Sequence, residues 1–340
     1  MRCLTLADEL RARGAECHFI SRMLPGHLGA LIERRGFAVS LLDAPSGDAL
    51  SFDSTAHAKG AGVTWEQDLA ETRELVTFAD WLIVDHYSFD YRWQKGLADR
   101  AKRIMVIDDL ADRQHFAALL LDQNLGRKET DYDGLVPNEC NRLIGLGFAL
   151  LRPEFGRQRN QSLQRRMNGE LSHLLISMGG TDAIDATSAV LRVIHKARLP
   201  KRLRLSVVMG SKAPALGEVR TLADRMPWST EVLVDVGDMA RLMASADFSI
   251  GAGGSTTWER CCLGLPSIIV ETAANQNGAA AAMQKAGAAL VAGPLLHPAF
   301  SSKLVQCMNN LLESGVSARI SRRSAELCFG DGVVRVADLM

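Results

Sequence analysis

The chain has 340 residues, 47% apolar and 23% charged, enough apolar material for a sizeable core. At about 150 residues per domain it divides into about two domains, and its balance of 39 Lys+Arg against 39 Asp+Glu argues against a polybasic nucleic-acid surface and against attraction to anionic membranes. No apolar run approaches the ~20 residues of a membrane span, and Asp8 and Glu9 fall where a signal peptide needs its apolar core.

In chain order, Cys3, Leu6, Ala7 and Leu10 fall at i, i+3, i+4 and i+7, the pattern of an amphipathic helix, with Gly14 where a C′ residue belongs. A strand is expected at 16–21, a helix ending near Arg35-Gly36, and a strand at 38–42. A Gly/Ser/Asp-rich loop leads to a helix near 65–78 and then to three continuous apolar strands at 81–84, 104–107 and 119–121. Such strands separated by helices predict a parallel sheet covered on both faces. Each of the three runs into an aspartate, Asp85, Asp108 or Asp122, at the edge where parallel sheets bind ligands; capping is the other use for such residues.

The arginine-rich stretch 157–170 reads as a solvated linker between an N-terminal domain (1–156) and a C-terminal domain (171–340). In the second domain, strands are expected at 173–178, 203–209, 232–234, 248–250 and 267–270. The fold class is therefore α/β, two doubly wound parallel-sheet domains facing a cleft. A doubly wound unit normally begins with a central strand, whereas this chain begins inside a helix, so the first strand of the N-terminal domain is expected to be absent. Cysteines at 3, 17, 140, 261, 262, 307 and 328 form no CxxC pair, which favours a reducing cytoplasm over a disulfide framework or zinc knuckle. The expectation is a cytoplasmic monomer.

The most informative motif is Gly251-Ala252-Gly253-Gly254-Ser255-Thr256-Thr257-Trp258-Glu259, which follows a strand and opens a helix. Gly253 and Gly254 allow a ligand close to the backbone, the helix start offers N–H groups to phosphate, and Ser255 and Thr256 add hydroxyls. Glu259, about one turn inside, can accept hydrogen bonds from ribose hydroxyls; alternatively Thr256-x-x-Glu259 is a capping box. A second turn, Met178-Gly179-Gly180-Thr181-Asp182, suggests with the first a nucleoside diphosphate site, although a positive-φ turn alone would explain Gly179 and Gly180. Neither is a Walker A loop. Beyond the strand at 267–270, Asn275 and Gln276 offer carboxamides that suit sugar hydroxyl and acetamido groups, while Asn275 can equally cap a helix. In the first domain His86 is a candidate general base and Tyr87 a hydroxyl donor. Asp131-Tyr132-Asp133 resembles a DxD metal site but lacks a preceding buried strand, so no metal and no cofactor are expected.

Arg2-Cys3-Leu4-Thr5-Leu6-Ala7, Val84-Asp85-His86-Tyr87, Ile107-Asp108-Asp109, Asp122-Gln123-Asn124, Leu150-Leu151-Arg152-Pro153-Glu154-Phe155, Met178-Gly179-Gly180-Thr181-Asp182 and Asn275-Gln276 together resemble one family. It is the UDP-2,4-diacetamido-2,4,6-trideoxy-β-L-altropyranose hydrolases of pseudaminic acid biosynthesis, related to MurG-like glycosyltransferases of the GT-B fold. The resemblance implies a UDP-sugar substrate held mainly by the C-terminal domain and an inverting attack of water at the anomeric carbon without a metal. Glu259 would then hold ribose, the 253–256 turn pyrophosphate, and Asn275 and Tyr87 the sugar. In that family a strand and a Gly-x-Gly-His turn precede the Arg-Cys-Leu-Thr-Leu-Ala segment, and the histidine is thought to be the base. The resemblance therefore implies about 20 further residues upstream of Met1, and leaves His86 and Asp109 as substitutes for the base by proximity only. A UDP-sugar glycosyltransferase, or a UDP-sugar-binding protein without turnover, is the alternative.

Overall fold

Apolar runs bounded by Gly, Asp or Pro form most of the strands, and among the described residues every strand pairing is parallel. The structure, a computed structural model, describes residues 1–45, 61–166 and 171–340. Most of the Gly/Ser/Asp-rich loop and residues 167–170 of the expected linker lie outside the described residues. The chain forms two compact units, Met1–Leu150 with Gly332–Met340, and Leu151–Asp331.

The first unit opens with α1 (Arg2–Ala12), β1 (His18–Arg22), α2 (Gly29–Arg34), β2 (Ala38–Leu42) and α3 (Trp65–Leu75). It continues with β3 (Ala79–Val84), α4 (Tyr91–Lys95), β4 (Ala101–Ile107), β5 (Leu119–Asp122) and β6 (Asn141–Ile144). Its strands form two separate sheets, β1-β2 and β3-β4-β5-β6. Gly14 ends α1 at φ +93°, as a C′ glycine does.

The second unit contains α5 (Pro153–Arg166), β7 (His173–Ser177), α6 (Ala186–His195), β8 (Arg204–Met209), α7 (Leu216–Asp224), β9 (Ser229–Val234) and α8 (Met239–Ser245). Then come β10 (Phe248–Ala252), α9 (Thr256–Cys262), β11 (Ser267–Glu271), α10 (Asn277–Lys285), β12 (Leu290–Pro294), α11 (Phe300–Leu312) and α12 (Val316–Leu327). Its single sheet runs β12-β11-β10-β7-β8-β9, with the first strand, β7, in the centre. Leu174, Ile176, Leu205, Val207, Phe248, Ile250 and Ile268 fill its core. Fully burying such a side chain contributes about 1.5–3 kcal/mol.

Two boundaries differ from expectation. Residues 157–166 are not linker but belong to α5, and three of their arginines, Arg159, Arg165 and Arg166, are hydrogen-bonded. Arg159 donates to the carbonyls of Ala325 (2.7 Å) and Cys328 (2.9 Å) at the end of α12, and to Cys262 at the end of α9. Arg166 donates to Met243 (2.8 Å) and Ala246 (2.7 Å) at the end of α8 and to Leu263 (3.1 Å). The last carbonyls of a helix lack intrahelical partners, so α5 caps three helices at once. Charge alone suggested solvent; the partners are backbone groups that composition does not reveal. The second difference is at the C-terminus, where α13 (Gly332–Ala337) joins the first unit and packs Val333 and Val336 with Leu6 and Met105. A Cβ on Gly332 would lie 2.5 Å from the Ala149 carbonyl oxygen, so only glycine allows this approach.

Candidate functional site

In the second unit the 251–259 segment leaves β10 at its C-terminal end and enters α9. The Arg260 guanidinium folds back under this turn, with 2% of the residue exposed. Its Nη2 donates to the Ala252 carbonyl (2.7 Å) and to Thr257 Oγ1 (2.9 Å). Gly251 leaves room for it, since a Cβ there would overlap Arg260 Nη1. Burial lowers the Arg260 pKa to about 10, so it remains a cation at neutral pH beneath the turn. Gly253 N–H is held by the Val270 carbonyl (3.2 Å) and Gln276 Oε1 (3.3 Å). Among the described residues, the next three N–H groups, of Gly254, Ser255 and Thr256, meet no acceptor, and Ser255 caps α9 without a side-chain bond. The capping box is therefore not formed, and Glu259 does not close its own helix. Its neighbour is Arg152, 3.9 Å away. Burial raises the Glu259 pKa to about 7, against the opposing pull of Arg152 and Arg260.

The second glycine turn is built differently. Gly179 has φ +100°, as a tight turn requires. The start of α6, however, is already filled by carboxylates: Asp182 accepts from Ala186 N–H and Thr187 N–H (2.9 Å each), and Asp185 accepts from Ser188 N–H. The carbonyl of Gly180 accepts from Gly210 N–H. Of the two turns, only the one at 251–259 leaves its helix start open.

Gln276 is used internally, accepting from Thr272 N–H (2.9 Å) and Gly253 N–H, so its oxygen ties the 272 loop to the glycine turn. Asn275 is exposed in a short 3-10 turn before α10 and does not cap that helix, whose N-cap residue is Gln276.

In the first unit the strand-end residues form a clamp. Asp109 accepts from Arg2 Nη1 (2.9 Å), Arg2 Nη2 (2.8 Å), Tyr87 Oη (2.9 Å) and Asn124 Nδ2 (3.0 Å). Each of its two oxygens thus already holds two donors from the first unit. Arg2 also binds Asp85 at 2.7 Å, and its hydrogen bonds hold Asp85 below the usual carboxylate range although burial opposes this. His86 accepts the Ser88 N–H at Nδ1 (3.1 Å) and stacks on Phe89, and burial lowers its pKa. The neutral ring then carries its proton on Nε2, which makes that nitrogen a donor. Asp108 and Asp122 are wholly buried and lie 2.9 Å from the Tyr132 hydroxyl. For these two, capping and internal bonding, not ligand binding, is what the strand ends do. Asp131 accepts from Lys128 N–H and Asp133 pairs with Arg142, so the DxD motif is spent on local structure. Among the described residues no group of three or more His, Cys, Asp or Glu is placed to hold a metal ion, and no helix is long and apolar enough to cross a membrane.

No site role was read from sequence for Arg2, Arg152 or Arg260, although the first two stand in motifs that carry the resemblance. Isolated arginines carry no periodic signal, and what marks them is the carboxylate or carbonyl the fold brings to each.

Two parallel-sheet Rossmann-like units define a GT-B fold, and solved structures of that class match the whole chain. MurG from Acinetobacter baumannii superposes with a TM-score of 0.66 at 14% identity, covering 99% of this chain and 94% of that one. UGT89C1 from Arabidopsis thaliana, solved with UDP-L-rhamnose, gives 0.63 at 12%, covering 99% and 95%. Among curated proteins, the chain is similar to the UDP-2,4-diacetamido-2,4,6-trideoxy-beta-L-altropyranose hydrolase of Campylobacter jejuni, 27% identical over 183 residues, 54% of this chain and 62% of that protein. It is also similar to the spore coat polysaccharide biosynthesis protein SpsG of Bacillus subtilis, 26% identical over 197 residues, 58% of this chain and 57% of that protein. The matched regions thus span about three-fifths of these relatives. No family model matches the chain.

Proposed function

We propose that this protein binds a UDP-sugar and hydrolyses it, the substrate being a UDP-linked 2,4-diacetamido-2,4,6-trideoxyhexose. The observation that carries the reading is the row of three unpaired N–H groups at 254–256, with Glu259 one helical turn further on. Unpaired backbone N–H groups at a glycine-rich turn are donors for phosphate oxygens, and the buried Arg260 adds positive charge. Glu259, held by neither a cap nor a close ion pair, is available to ribose hydroxyls. Asn275, exposed on the segment after β11, is the proposed sugar contact. In the reaction, water oxygen bonds to the anomeric carbon as the bond from that carbon to the phosphate oxygen breaks. The sugar is released inverted, UDP leaves, and the water proton passes to solvent. Neither His86 nor Asp109 is proposed as the base. The similarity to the Campylobacter hydrolase supports this substrate class.

Calorimetry with UDP and with uracil tests the nucleotide site. Glu259→Gln should weaken UDP by about 10- to 150-fold, the equivalent of ~1.5–3 kcal/mol for a charged hydrogen bond, and leave uracil binding unchanged. Equal loss for both would remove the ribose role. NMR of a reaction containing the UDP-sugar should show free sugar, first in the inverted anomer. Transfer to an added acceptor instead would make the protein a glycosyltransferase, the activity class of its fold relatives.

A further inference from the structure

Three arginines are buried among the described residues, Arg22, Arg166 and Arg260. Arg22 is neutralised by two carboxylates, Asp68 at 2.7 Å and Glu71 at 2.6 Å. Arg166 donates to the carbonyls of Ser162, Met243, Ala246 and Leu263, and the last three lie at the ends of α8 and α9, where partial negative charge collects. Arg260 is the most buried of the three and the least compensated. It meets one carbonyl and one hydroxyl, its Nε has no partner, and no described carboxylate lies within ion-pair distance of it. Glu259, its neighbour in sequence, keeps its proton up to about pH 7 and so balances the charge only in part at neutrality.

The position of this charge is as particular as its lack of a partner. The sheet of the second unit reverses its strand order between β7 and β10, whose ladder ends with Gly251 opposite Ser177. Open α/β sheets bind ligands in the crevice outside the strand ends at such a reversal. A Cβ on Gly251 would overlap Arg260 Nη1 and come within 2.9 Å of the Ser177 carbonyl oxygen, so the guanidinium shares one small space with the ends of both strands. From these ends the chain runs on into the two glycine turns, at 178–182 and 251–256. A buried cation is costly unless an anion accompanies it, and the chain provides none here. With Arg260 almost wholly covered, a ligand in the crevice meets its field and not its nitrogens.

Resting on the UDP-sugar reading above, we propose that Arg260 is a specificity-determining residue, a fixed positive charge out of contact with the ligand that makes the site select by the charge on its phosphate groups. Coulomb attraction across the protein interior is stronger than in water, and a buried charge is screened little by salt. Uridine gains nothing from this field, a monophosphate gains, and a diphosphate gains more. A UDP-sugar carries less negative charge than free UDP. As the bond from the anomeric carbon to the phosphate oxygen breaks, its electron pair stays on that oxygen, and the field acts on the charge so formed. Arg260 keeps its protons throughout and forms no bond to the nucleotide.

NMR titrations of the full chain with uridine, UMP and UDP at neutral pH, in the wild type, Arg260→Lys and Arg260→Gln, test this. Lysine keeps the charge and glutamine removes it, while neither reproduces the shape of the guanidinium. The wild type should prefer UDP to UMP and UMP to uridine. Arg260→Gln should bind uridine as the wild type does, but UMP about 10-fold and UDP about 100-fold more weakly. Arg260→Lys should stay within about 3-fold of the wild type for all three ligands. Equal losses of uridine and UDP affinity would make the guanidinium a support of the turn and overturn the proposal. So would an undiminished preference for UDP in Arg260→Gln, or the same phosphate-dependent loss in Arg260→Lys, which would place the effect in shape and not in charge. A wild type that binds UDP no better than uridine would remove the nucleotide site itself, and the proposal with it.

Discussion

Glu259 is the residue at which burial and function conflict most directly. Its folded pKa of about 7 lies above the usual 4.5, so the folded chain binds the proton more tightly than the unfolded one. The stability this carboxyl contributes is fully present below pH 4.5, is lost as pH rises through 7, and levels off above. At pH 8 the ionised group costs on the order of 3 kcal/mol. Glu259→Gln, which does not titrate, should raise Tm at pH 8 and leave it nearly unchanged at pH 4.5. Thermal melts across that range check this, and a constant Tm difference would place the carboxylate in solvent. A half-buried, poorly paired carboxylate is tolerated when a ligand supplies its partner, which is what the ribose reading requires. Asn275→Ala should leave UDP affinity intact and reduce affinity for the UDP-sugar; a parallel loss of both would give the residue a role in the nearby turn instead.

At the scale of elements, the contrast between the two glycine turns shows how local chemistry decides availability. Both follow a strand and both open a helix. The α6 turn carries its own acceptors in Asp182 and Asp185, and the α9 turn does not. The resemblance between the turns lay in the glycines, and the difference lay in carboxylates two to five residues further on. Helix α5 makes the same point about arginine. Its basic run matched the composition of a solvated linker, but the guanidiniums of Arg159, Arg165 and Arg166 meet helix-terminal carbonyls, and Phe155 on the same helix is wholly buried. Residues 151–331 produced alone should therefore fold cooperatively and bind UDP. Residues 171–331 should be destabilised by several kcal/mol, because the loss of Phe155 alone removes about 3–5 kcal/mol and the carbonyls it leaves add to that. Equal denaturation midpoints for the two pieces would return α5 to the status of a linker.

For the molecule as a whole, alternation of apolar runs and helices was enough to predict two doubly wound units, and most strands lie within two or three residues of their expected positions. Two edge strands, β6 and β12, went unrecognised. β6 is four residues with polar Asn141 and Arg142, and β12 contains Gly293 and Pro294; neither presents the continuous apolar run that marks a central strand. The return of α13 to the first unit was likewise unread, since it depends on a contact between residues more than 180 positions apart in the chain, Ala149 and Gly332.

The amino-acid sequence by itself determined the strand–helix alternation, the parallel sheets and the glycine turn beside Glu259, because periodicity and backbone permissiveness are local properties. Tertiary structure decided which polar groups are free. Asp108, Asp122, Asp109 and Gln276 each had a plausible functional role by position, and each is bonded to partners that folding brings to it. The N–H groups at 254–256 remain open for the complementary reason: folding brings them no acceptor. A buried polar group must be paired, and whether its partner comes from the chain or from a ligand depends on contacts between distant residues.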